Sequence, residues 1–154
     1  MHPHQQLIEK FYTSFNKLDA AGMISCYHGE VCFYDPVFEN LTGKEAGAMW
    51  TMLCRNARDF SLTYSKVEAG DEYGSCEWTA HYTFSATGRK VTNHVKAHFK
   101  FHEGLIIEHM DDFDLWRWSR QALGVKGLLL GWSGFVINKV RKRARASLKK
   151  AMAT

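Results

Sequence analysis

The 154 residues are 45% apolar and 23% charged, with 14% aromatics and 2 prolines, which fits one globular domain and excludes a disordered or fibrous chain. The net charge of +4 is an average of opposites: residues 1–116 carry 10 basic and 16 acidic side chains, net −6, whereas residues 117–154 carry 10 basic and no acidic ones, net +10. A uniformly basic nucleic-acid-binding domain is thereby excluded, and the positive charge belongs to a C-terminal extension over 117–154 that follows a domain over 1–116.

In chain order, Leu7, Ile8, Phe11, Phe15 and Leu18 recur at helical spacing and predict an amphipathic first helix ending near Asn16 and Lys17. Asp19 reads as the N-cap of a short helix from Ala20 to Tyr27. A brief strand over Val31 to Tyr34 stops at Asp35-Pro36, because proline donates no ladder hydrogen bond. Gly43 to Ala57 predicts a third helix bearing Met49, Trp50 and Leu53, and Phe60 to Glu68 a strand. The period then changes to 2: Trp78, Ala80, Tyr82 and Phe84 alternate with polar residues, as do Val91, Asn93, Val95, Ala97, Phe99 and Phe101. This alternation predicts antiparallel strands with one buried face. A two-residue turn at Thr87-Gly88 would set His81 opposite His94. A three-residue turn over Glu103, Gly104 and Leu105 would pair Phe101 with Ile107, Phe99 with His109 and Ala97 with Asp111. His109, Asp111 and Phe113 then face inward, and a slip of one residue would reverse them.

The element order, with Tyr34-Asp35-Pro36-Val37, Gly88-Arg89-Lys90 and His98-Phe99-Lys100-Phe101 in sequence, resembles the nuclear transport factor 2-like superfamily over about residues 5–116. Within it the motifs are most similar to the ketosteroid isomerase and SnoaL-like polyketide cyclase branch. The resemblance implies an α+β cone, a curved antiparallel sheet packed on N-terminal helices, here with an extra C-terminal basic helix, and a homodimer through the outer sheet face. It places a general base on Asp35. The isomerase's two oxyanion donors fall on Phe11 and Ala97, neither of which can donate. Glu108-His109-Met110-Asp111 resembles the string in which SnoaL-like cyclases carry their acid–base aspartate, which implies that role for Asp111. The Asp–Arg–Asp arrangement of the limonene-epoxide-hydrolase branch has no matching inward arginine.

The expected site is therefore Asp35, Asp111 and His109, with Asp111 or His109 supplying the oxyanion contact that Phe11 and Ala97 lack. Phe11, Trp50, Trp78, Tyr82, Phe84, Ala97, Phe99 and Phe113 would line a pocket for a small apolar molecule. An apolar wall and a neighbouring carboxylate both raise a carboxyl pKa, which suits acid–base work near neutrality. The bland alternative is that Asp35 caps its own Asp-Pro turn and that His109 and Asp111 satisfy each other. A cavity filled by Trp50, Trp78 or Trp132 would favour a non-catalytic binding or dimerisation module. No cofactor and no metal are expected: His94, His98 and His102 stand about 13 Å apart in steps along one strand, and Cys26, Cys32, Cys54 and Cys76 show no zinc spacing. With no signal peptide or membrane span evident, a soluble cytoplasmic protein is expected. In the tail, Trp132, Val136, Val140, Ala144 and Leu148, with Phe135 and Ala151 alongside, form an apolar stripe amid Lys139, Arg141, Lys142, Arg143, Arg145, Lys149 and Lys150. Such a helix fits folding back on the acidic domain first, a membrane surface second and nucleic acid last.

Overall fold

A computed structural model describes residues 1–130 and 133–153, with the side chains of 128–130 excepted. It shows helix α1 over Pro3–Asn16, α2 over Ala20–Ile24, strands β1 (Tyr27–Asp35) and β2 (Glu39–Thr42), and α3 over Lys44–Asn56. Strands β3 (Ser61–Ala69), β4 (Tyr73–Phe84), β5 (Arg89–His102) and β6 (Leu105–Asp112) follow, then helices α4 (Leu115–Leu123), α5 (Val125–Leu130) and α6 (Gly134–Ala153). The six strands form one curved, unclosed sheet in the order β2-β1-β6-β5-β4-β3. The expected α+β architecture, with its additional C-terminal helix, is the one observed.

α1 starts where Pro3 occupies a position whose N–H would be unpaired anyway, with His2 and Gln5 forming a capping box. Its inner side buries Ile8, Phe11, Tyr12 and Phe15 against the concave face of the sheet. α2 ends at Ile24, three residues before the expected limit, because Tyr27 already pairs with Ile106 as the first residue of β1. Strand β2 was not anticipated; its four residues pair antiparallel with β1, and a positive φ at Glu39 starts the return. Its brevity leaves no readable alternation.

Two turns differ from expectation. β4 and β5 pair Phe84 with Arg89, so four residues turn the chain; His81 therefore faces Thr92 and His94 faces Thr79. The backbone N–H groups of Thr87 and Gly88 both donate to the Phe84 carbonyl, and the Thr87 hydroxyl donates to the Ala122 carbonyl, which fixes the longer loop. Between β5 and β6 the turn has two residues, Glu103 and Gly104, both at positive φ, so Phe101 pairs with Ile106 rather than Ile107. A bulge then shifts the register by one, and Phe99 opposite His109 and Ala97 opposite Asp111 are found as expected. The bulge absorbs the missing turn residue.

The tail divides where its glycines fall. Gly124 ends α4 at positive φ, and Gln121 of α4 clamps Thr92, donating to its carbonyl and accepting from its N–H. α6 packs back on the domain: Leu148 is buried, and Val140, Ala144 and Ala151 contact the core. Phe135, expected beside the apolar stripe, instead points to solvent at 77% exposure. Trp132 lies outside the described residues. Among the described residues no helix is long and apolar enough to cross a membrane.

Candidate active site

β1 and β6 run parallel, with Phe33 beside His109 and Tyr34 beside Met110. The inward residues of this pair are therefore Phe33 and His109, and one step further Asp35 and Asp111. The charge of Asp111 acts on Asp35, so the two carboxylates share one end of the sheet.

His109 and Asp111 are buried to 1% and 2% exposure, and both belong to one hydrogen-bonded chain. The indole N–H of Trp50 donates to the Tyr27 hydroxyl at 2.9 Å, and the hydroxyl in turn donates to Nδ1 of His109 at 2.7 Å. With its proton on Nε2, His109 donates to Oδ1 of Asp111 at 2.9 Å, and Trp78 Nε1 donates to the same oxygen at 3.3 Å. Every polar hydrogen of the chain thus has an acceptor, as burial at this depth demands. Oδ2 of Asp111 receives no donor among the described residues.

Rings close around this chain. The His109 ring lies 4.6 Å from Phe99, 5.2 Å from Phe33 and 5.4 Å from Phe11, and Trp50 stacks on it at 6.2 Å and 18°. Tyr27 is the residue that sequence reasoning missed. Assigned to the end of a helix, it gave no sign of facing inward, yet it stacks on Phe11 at 5.4 Å and brings a hydroxyl beside a ring that has none. Burial first, and the negative charge of Asp111 as well, push its pKa well above 10, against the Trp50 N–H, so it remains a neutral phenol.

Asp35 is half-buried, and its Oδ1 accepts from the N–H groups of Val37 at 2.9 Å and Phe38 at 2.6 Å. The capping role is therefore real. Even so, burial pushes its pKa up from 3.8 to about 7; the Phe38 N–H opposes this and the charge of Asp111 adds to it. Above the loop, α6 contributes Arg141 Nε, donating to the Pro36 carbonyl at 2.9 Å, and Arg145 Nη2, donating to the Phe38 carbonyl at 2.7 Å.

The expected pocket residues fall into two groups. Trp50 and Trp78 are members of the buried chain and Phe11, Ala97 and Phe99 lie around it, whereas Phe84 is placed apart from it, edge-on to Trp118 at 5.3 Å beneath α4. That shift follows from α4 docking on the β4–β5 hairpin. Phe113 and Tyr82 pack at the junction of the two groups. Tyr82 accepts from Trp118 Nε1 at 2.7 Å and donates to nothing among the described residues. Burial raises its pKa to about 12, the Trp118 N–H lowers it, and the charge of Asp35 raises it again. Asp35 thus feels the charge of Asp111, and its own charge is felt by Tyr82.

His28, His102 and Glu103 place side-chain ligand atoms within 4.8 Å of one another. Nδ1 of His28 accepts the Glu30 N–H, which leaves the proton on Nε2, facing Glu103 at 3.4 Å. A metal-bound imidazole donates through its second nitrogen, so this cluster is satisfied by hydrogen bonds rather than arranged as a ligand set.

The model of the SnoaL-like domain family matches residues 8–109, about two-thirds of the chain. The chain belongs to the SnoaL-like family. Its nuclear transport factor 2-like fold is shared with solved structures. One is a nuclear transport factor 2-like protein of unknown function from Burkholderia pseudomallei (TM-score 0.68, 17% identity, covering 79% of this chain and 98% of that one). TsrD from Streptomyces laurentii has TM-score 0.66 and 25% identity, covering 78% and 94%. A putative polyketide cyclase from Xanthomonas campestris has TM-score 0.65 and 18% identity, covering 78% and 96%. Other structural neighbours of this SnoaL-like chain are called a putative hydroxylase and a protein with a ketosteroid isomerase-like fold. No curated protein gives a significant match. In the neighbours named, about a fifth to a quarter of this SnoaL-like chain lies outside the shared fold.

Proposed function

We propose that this SnoaL-like chain is a cofactor-free acid–base enzyme that moves a proton on a small apolar carbonyl compound, in an isomerisation, aldol-type cyclisation or dehydration. The observation that carries the reading is Asp35: a half-buried carboxyl with a pKa of about 7, beside a second buried carboxylate. A base poised near the working pH transfers protons best in both directions.

Asp35 takes the proton from the carbon next to the carbonyl, and the electron pair of that C–H bond passes to the carbonyl oxygen as an enolate. Returning the proton from Asp35 to another carbon of an extended enolate completes an isomerisation. Attack of the enolate carbon on a second carbonyl forms a C–C bond and an alkoxide that takes the proton back from Asp35, completing a cyclisation. Expulsion of a neighbouring hydroxyl from the enolate, protonated by Asp35 as it leaves as water, completes a dehydration. Burial gives Asp35 its high proton affinity and the charge of Asp111 adds to it, while His109 and Trp78 hold Asp111 in place. His109 has both ring nitrogens engaged in the buried chain, so it has no proton to spare for the enolate oxygen. Tyr82 takes that role here. Its oxygen is already polarised by the Trp118 N–H, its own proton is uncommitted, and it lies within reach of the Asp35 charge.

A probe for this chemistry is 2-tetralone, an apolar bicyclic ketone with acidic C–H bonds, whose deuterium uptake from D2O is followed by proton NMR. Wild-type protein is expected to accelerate exchange catalytically, and Tyr82→Phe to lose about 10²–10³-fold of that rate, the usual effect of removing one oxyanion donor. An unchanged rate in Tyr82→Phe removes the phenol from the mechanism. The second reading, a non-catalytic binding module, is favoured by the two indoles that pack around the His109–Asp111 pair. It predicts saturable 2-tetralone binding, seen as chemical-shift changes, with no accelerated exchange.

A further inference from the structure

α6 has two faces, and the fold uses one of them. Val140, Ala144, Leu148 and Ala151 turn inward, and Arg141 and Arg145 are tied to the backbone of the Asp35 loop. Lys139, Lys142, Arg143, Lys149 and Lys150 are exposed, and none forms an ion pair among the described residues. No acidic residue follows Asp114, so no side-chain carboxylate on α6 itself offsets them. Phe135 lies at the start of the same outer side, since 135, 139, 142, 146 and 149 follow at steps of three and four. It is 77% exposed, an unusual position for so large an apolar ring.

We infer that this outer face of α6 is a docking surface for an anionic lipid bilayer, with Phe135 entering the headgroup boundary and the five cations paired with lipid phosphates and carboxylates. Nucleic acid would satisfy the charge, and a base could stack on the protruding phenylalanine, but no nucleic-acid recognition motif accompanies the charge. A bilayer accounts for both, because interfacial helices combine cations that meet anionic headgroups with an aromatic that enters the boundary. Binding through this face leaves the inner contacts of α6 intact, so the helix need not leave the domain. The inference is independent of the proposed acid–base chemistry.

The full chain is tested by flotation with phosphatidylcholine vesicles, with and without phosphatidylserine, and by fluorescence anisotropy on a short DNA duplex. The expected result is flotation with the serine-containing vesicles and not with the neutral ones. The triple variant Lys139→Gln, Lys142→Gln, Lys149→Gln should lose at least about tenfold in affinity while keeping the wild-type melting temperature. Phe135→Ser should weaken binding most at high ionic strength, where the charge contribution is screened. Absence of flotation, flotation indifferent to phosphatidylserine, or an unaltered affinity in the triple variant overturns the inference. Tighter binding to the duplex than to the anionic vesicles also overturns it, in favour of a nucleic-acid surface.

Discussion

Asp35→Asn is expected to slow deuterium exchange into 2-tetralone by about 10²–10⁴-fold, the range that a positioned general base supplies. The substitution is nearly isosteric, and the Asn oxygen can still accept the Val37 and Phe38 N–H groups that Asp35 Oδ1 accepts. The turn and the docking of α6 on the Pro36 and Phe38 carbonyls should survive, so the loss reads on chemistry rather than folding. The pH dependence follows from the sign of the shift. Burial holds Asp35 protonated up to about pH 7, so the wild-type rate should rise with pH to a plateau above that value. With an unshifted carboxyl the plateau would begin near pH 4 instead. An Asn variant with wild-type exchange would reduce Asp35 to the cap of its own turn.

Asp111→Ala should instead act on the fold. It removes the acceptor of His109 Nε2–H and Trp78 Nε1–H, both inside the protein. Leaving buried donors unpaired costs about 1–3 kcal/mol each, so a loss of about 3 kcal/mol in total is expected. In a chain of this size that lowers the melting temperature by about 6–12 °C, measurable by circular dichroism. Asp111→Asn keeps an acceptor and should lose less than half as much. Equal stability of Asp111→Ala and wild type would mean that the network from Trp50 to Trp78 contributes nothing net to the fold.

Much of the cone was legible in the chain because its longest strands are half-wet. Trp78 to Phe84 and Val91 to Phe101 alternate cleanly, and the inward parity of His109 and Asp111 follows once Ala97 and Phe99 are placed inside. The turn between β5 and β6 is one residue shorter than the sequence predicts, yet the bulge returns the strand to the expected register. A local error in a hairpin is corrected when the buried face requires it. Tyr27 and β2 were not legible, for different reasons. Tyr27 follows a short capped helix with no breaker between them, and its strand character comes from pairing with Ile106, far along the chain. β2 has only four residues, and a strand that short owes its existence to β1. Phe84 went astray because a sequence pattern reports which face is buried but not what covers it; the cover proved to be Trp118 of α4.

The tail changes how the net charge is understood. Its inner side is held to the domain by burial of Leu148 and by Arg141 and Arg145 on the Asp35 loop, and its outer basic side is exposed. A domain of net −6 held to an extension of net +10 is one folded unit with a strong charge polarity.

The central claim is that Asp35 is held as a near-neutral acid–base group by burial and by Asp111. The most direct measurement is a carbon-13 NMR titration of the aspartate carboxyls in the full chain, with Asp35 assigned from its absence in the Asp35→Asn spectrum. A midpoint of about 7, falling in Asp111→Asn when the neighbouring charge is removed, is the predicted result. A midpoint near 4 that does not respond to Asp111→Asn would contradict it.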